Sequence, residues 1–134
     1  MKQIILVAAL LFIANAAASA QTATELSPKQ IEALKAVDAA EKKRAAPYAA
    51  KLAVTAKQIY RNMLSGHEDQ RLRKQLAAKL HLYTGKLLDL RGQSYRDELH
   101  VLTREQRKTV RDALKQPGAP QDISELIAKT FHLT

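Results

Sequence analysis

The 134-residue sequence contains no cysteine and no tryptophan, and its only aromatic residues are four tyrosines and two phenylalanines. Without cysteine there is no disulfide, no thiolate metal site and no lipid-bearing cysteine behind a leader. No stretch shows the strict apolar–polar alternation of a half-buried strand, which excludes an ordinary sheet protein. A nucleophile elbow, a phosphate loop and an HExxH segment are all missing, so no reaction is indicated and a non-enzyme without cofactors is expected. Acid pairs such as Asp97-Glu98, beside Arg96, read as solvated helix charges. The histidines are His67, His81, His100 and His132, and no two stand three or four apart, the spacing that sets two ligands on one helical face. No metal site is therefore expected within one chain; His67 and His100 are the candidates if two chains share an ion. His67-Glu68-Asp69 reads as helix capping and dipole complementarity.

What the sequence does have begins with a leader. Met1-Lys2-Gln3 is a short basic start, Ile4 to Ala14 is an unbroken apolar run, and Ala18-Ser19-Ala20 supplies small residues for cleavage. The run is shorter than the roughly 20 residues a bilayer span requires. Residues 1–20 are thus expected to be a signal peptide, with export to the periplasm and no stable membrane insertion after cleavage. Residues 21–134 hold only 26 Ile, Leu, Val, Phe and Met side chains. That lies just above the level, roughly a fifth of residues, below which strongly charged chains tend to be disordered. A thick core is excluded, and a thin, extended or oligomeric protein is expected.

The charge is unevenly placed. Residues 21–41 carry a net −2, residues 42–91 a net +9 and residues 92–134 a net +1. In an exported chain this basic centre points away from nucleic acid and towards unfolded or acidic polypeptides or anionic head groups.

Periodicity is helical throughout and predicts an all-α chain of four to five helices. Ile31, Leu34 and Val37 mark a first helix over residues 28–44, interrupted at Ala46-Pro47. A second helix carries the stripe Tyr48, Leu52, Ala56, Ile59 and Met63, with Lys51, Lys57 and Arg61 opposite, and ends at Ser65-Gly66. One long central helix follows over residues 68–101, because Leu72, Leu76, Leu80, Tyr83, Leu87 and Leu90 keep one register. Arg71, Lys79, Leu82 and Lys86 flank that stripe, while Gly85 and Gly92 face away and suggest bending or close backbone approach. A fourth helix covers residues 104–116 and stops at Pro117-Gly118. Residues 117–134 are a short helix or tail, opened by Asp122-Ile123-Ser124-Glu125. The domain reading is therefore a leader over 1–20, a helical domain over 21–116 and this C-terminal piece over 117–134.

Two helix starts are written alike: Leu26-Ser27-Pro28-Lys29-Gln30 and Leu102-Thr103-Arg104-Glu105-Gln106. Each is a capping box, in which the hydroxyl accepts from the N3 backbone N–H and the glutamine reaches back to the cap N–H. Leu26 is placed to staple onto Ile31; the second copy has Arg107 at the matching position. With these two boxes 76 residues apart, the chain resembles the Spy/CpxP family of periplasmic proteins, whose signature is a pair of LTxxQ motifs. The resemblance covers residues 25–116, with Ser27 in place of threonine.

The resemblance implies a thin, cradle-shaped antiparallel homodimer. Its basic concave face, with apolar patches, holds unfolded periplasmic proteins without ATP. The client-binding candidates are Lys51, Lys57, Arg61, Arg71, Lys79, Leu82 and Lys86, with Tyr95 and Leu99 adding apolar contact. The other implied roles are a metal-responsive regulator, signalling to a membrane partner, and a module that docks on a sensor kinase.

Overall fold

The structure, a computed structural model, describes residues 25–133. The expected leader, residues 1–20, lies outside the described residues. Four helices account for the fold, with no strand among the described residues: α1 (Pro28–Leu64), α2 (Gln70–Val101), α3 (Arg104–Leu114) and α4 (Ile123–Thr130).

The main departure from the sequence reading is at Ala46-Pro47, where no break occurs. α1 runs through Pro47 for 37 residues, about 55 Å at 1.5 Å per residue, so there are two long helices rather than one. Proline removes one backbone donor and costs roughly 3 kcal/mol in a helix interior. Ten alanines in α1, the strongest helix formers, work against that cost. Pro47 and Lys43, whose carbonyl loses its donor, are both exposed, so water can serve the orphaned group.

The chain divides into two compact units, residues 35–97 and residues 25–34 with 98–133. The first is an antiparallel hairpin of α1 and α2. Asn62 meets Asp69, Lys51 meets Tyr83 and Glu41 meets Arg91, so α2 runs back along α1. The turn is set by polar groups. Asn62 is buried and donates through Nδ2 to the Asp69 carbonyl (3.0 Å), while its Oδ1 accepts from the Asp69 N–H (3.0 Å). Asp69 in turn caps α2, its Oδ1 accepting from the N–H groups of Arg71 and Leu72 (2.9 and 3.0 Å). Gly66 takes the left-handed conformation (φ 78°) that ends α1. Along α2, Leu76 is almost fully buried (2% exposed), and Leu80, Tyr83, Leu87 and Leu90 are half-buried, as their register requires, whereas Leu72, the first member of the stripe, is exposed beside the turn. On α1 the stripe fails at its end: Asn62 is the buried residue and Met63 is exposed, because the turn needs the amide inside. Gly85 has open space around it, and Gly92 has only the Arg96 guanidinium nearby, so neither marks a close backbone approach.

The second unit contains a small apolar core of Leu102, Val110, Leu126, Ile127 and Phe131, with Leu26, Leu34, Leu99, Ala113, Ala119 and Ile123 packed on it. α4 is therefore docked rather than trailing. Asp122 caps it by accepting from the Glu125 N–H (3.0 Å), and its C-terminal end closes with the Leu133 N–H donating to the Ala128 carbonyl (2.9 Å). Glu98 corrects a second expectation. Instead of a solvated charge it is buried, and Ser124 of α4 donates to its carboxylate (2.8 and 2.9 Å). Asp97 is half-buried and accepts from Gln93 Nε2 (2.8 Å).

Candidate functional site

The two repeated boxes come together in the second unit. Ser27 Oγ accepts from the Gln30 N–H (3.1 Å) and Gln30 Oε1 accepts from the Ser27 N–H (2.9 Å). Thr103 and Gln106 repeat both bonds at 3.2 and 2.8 Å. The glutamine amides then cross. Gln30 Nε2 donates to the Val101 carbonyl (3.0 Å) and to Gln106 Oε1 (2.7 Å). Gln106 Nε2 donates to the Glu25 carbonyl (3.0 Å) and to Gln30 Oε1 (3.3 Å). Each glutamine thus caps its own helix and grips the backbone two residues ahead of the other cap. The capping box was readable from spacing; the meeting of the two boxes was not, since nothing local in either box specifies the other. Leu26 borders a groove with Ile31 and Phe131, and Leu102 is buried in the core. Arg107, which stands where a staple partner would, instead donates to the carbonyls of Leu99 (3.1 Å) and Leu102 (3.0 Å) near the end of α2.

The binding candidates all lie in the hairpin. Lys51, Lys57, Arg61, Arg71, Lys79 and Lys86 are exposed, and Leu82 is 56% exposed. Lys51, Val54, Gln58, Lys79 and Tyr83 line one shallow groove of about 300 Å³ between α1 and α2. Its lining mixes Val54 and the Tyr83 ring with the buried Thr55, and it carries two ammonium groups. The Lys51 ammonium stands 5.8 Å from the ring centroids of both Tyr48 and Tyr83, which orients the cation without neutralising it. Lys79, Leu82 and Lys86 are spaced three and four apart and continue the α2 rim on one face. Lys57 and Arg61, four apart, form a second basic pair about 80–120° around α1 from Lys51 and outside the groove, and Arg71 is near the turn.

Tyr95 and Leu99 do not share this exposure. Both are half-buried: Leu99 packs on the apolar core of its unit, and Tyr95 lies under Arg91, whose guanidinium carbon is 4.7 Å from the ring centroid. Arg91 also pairs with Glu41 (2.7 Å), so this part of the basic excess is internally engaged. Among the described residues no group of three or more metal-ligating side chains occurs; His67 and His100 are both exposed and stand in different units.

No protein-family model, curated protein or solved structure matches the chain.

The sequence reading missed Val54, Tyr60, Leu64 and Leu88, which are 58%, 64%, 85% and 67% exposed. Their signal was present, because each falls off the apolar stripe of its helix. An apolar residue out of register in a lysine-rich helix marks contact surface rather than core.

Proposed function

We propose that the protein is a periplasmic, non-enzymatic holdase of the Spy/CpxP type that binds unfolded polypeptides without ATP and acts as a homodimer. One observation carries the reading. Of the nine large apolar side chains exposed among the described residues, seven lie in the hairpin, and the hairpin also holds the whole basic excess. Apolar side chains spaced among lysines on a helical surface suit clients that share no sequence: charge raises the encounter rate, and scattered apolar contacts hold without demanding a fixed partner. The paired boxes Leu26-Ser27-x-x-Gln30 and Leu102-Thr103-x-x-Gln106 support the resemblance independently.

The test is suppression of aggregation of a chemically denatured client by the purified protein. Suppression is expected without ATP, and it weakens as salt is raised through the range where the Debye length falls below about 8 Å. Charge reversal at Lys51, Lys57, Arg61, Lys79 and Lys86 together is expected to reduce client affinity by tenfold or more, on the order of 1.4 kcal/mol, with helicity unchanged. Full activity in that variant would make the basic face a solubility device and remove the proposal.

A further inference from the structure

We infer that the turn end of the hairpin is a contact site for anionic phospholipid bilayers, separate from the groove at Lys51 and Lys79. The turn presents Tyr60, Met63 and Leu64, which are 64%, 60% and 85% exposed, the last the most exposed of the large apolar side chains described. Their position is built rather than incidental. Asn62 is drawn inward by its two hydrogen bonds to Asp69, and the next two positions are rotated about 100° and 200° away from it around the helix. The clamp that fixes the turn therefore holds Met63 and Leu64 outward.

The charges around these side chains decide the occupant. Lys57, Arg61, Arg71 and Lys74 are exposed and make no ion pair among the described residues. The two acids of the turn are exposed but already engaged: Asp69 caps α2, and Glu68 lies 3.7 Å from Arg73. Two adjacent apolar side chains and an amphipathic tyrosine, ringed by unpaired cations, match a bilayer interface in which acyl chains lie beneath anionic head groups. Each cation near such a surface strengthens partitioning about fivefold. A second copy of the same turn fits poorly, since two basic ends repel.

The experiment uses protein purified in the form the cell leaves after export, sedimented with vesicles of phosphatidylethanolamine and phosphatidylglycerol or of phosphatidylcholine alone. Binding is expected to the anionic vesicles and to fall with salt. Met63→Ser with Leu64→Ser is expected to lower it about tenfold, as loss of two partly inserted side chains should. Arg61→Gln with Arg71→Gln lowers it about 25-fold. Because the chain has no tryptophan, a Leu64→Trp variant is a clean reporter, and its emission is expected to shift to the blue on anionic vesicles. All the substituted positions are exposed, and circular dichroism checks that each variant is folded. Equal binding to phosphatidylcholine, an unshifted Trp emission, or vesicle binding unchanged by the serine pair would overturn the inference. If the serine pair spares vesicle binding but abolishes aggregation suppression, the turn holds polypeptide. If it spares vesicle binding but converts an oligomer to a monomer, the turn joins two copies.

Discussion

Gln106 has no solvent exposure and uses both ends of its amide, accepting from the Thr103 N–H and donating to the Glu25 carbonyl. Removing it opens a cap and also strips partners from Gln30. Gln106→Ala is expected to cost about 2–4 kcal/mol, measured by urea unfolding followed at the helix signal. The half-buried Gln30 can recruit water, so Gln30→Ala costs less, and a double-mutant cycle should return a coupling of about 1 kcal/mol. Ser94 is the opposite case. Its hydroxyl is fully buried with no hydrogen-bond partner. Ser94→Ala removes an unsatisfied group and improves helix propensity, so stability should rise by about 0.5–1 kcal/mol. A loss there would mean that the cavity left by the oxygen outweighs both gains.

At the scale of the element, α1 and the turn are governed by different forces. α1 passes through Pro47 because alanine-rich neighbours favour helix strongly and the orphaned carbonyl lies on an exposed side. Pro47→Ala is therefore expected to raise stability by about 1–2 kcal/mol, the restored hydrogen bond being offset in part by a less restricted unfolded chain. Thermal unfolding checks this, and a fall in midpoint would show that the hairpin depends on a proline-induced bend. The turn rests on Asn62. Asn62→Ala leaves the Asp69 N–H without its partner, while the Asp69 carbonyl keeps the Arg73 N–H (2.9 Å), and should cost about 1–2 kcal/mol. The loss should appear first as faster amide hydrogen exchange between residues 62 and 72.

For the whole molecule, the main fact is a shortage of buried apolar side chains. Leu76, Leu102, Val110, Leu126, Ile127 and Phe131 are the large apolar residues buried among those described. Folding alone leaves Val54, Leu82 and Leu88 in water, which accords with the proposed dimer and client surface. The dimer reading predicts that light scattering of residues 21–134 returns twice the monomer mass. A stable monomer at micromolar concentration would remove the dimer while leaving the aggregation test intact. No described helix is long and apolar enough to cross a membrane.

Helical character, both capping boxes and the α2 stripe from Leu76 onwards were legible in the sequence, because each depends on residues three or four positions apart. The placement of Lys51, Lys57, Arg61, Arg71, Lys79, Leu82 and Lys86 on exposed positions followed from the same periodicity. Pro47 was misread because local propensity cannot weigh one proline against the helix on either side of it. Met63 was misread because burial at the turn was decided by a hydrogen bond seven residues away, between Asn62 and Asp69. Glu98 read as a surface charge until Ser124, 26 residues on, was seen to donate to it. The sequence by itself determined the helical character of the chain and where two of its helices start, since those choices are made within one turn of chain. Only the tertiary structure decided that Gln30 meets Gln106, that α4 closes a core, and which off-register apolar side chains stay in water. Those outcomes depend on pairs far apart in sequence, whose meeting no local pattern encodes.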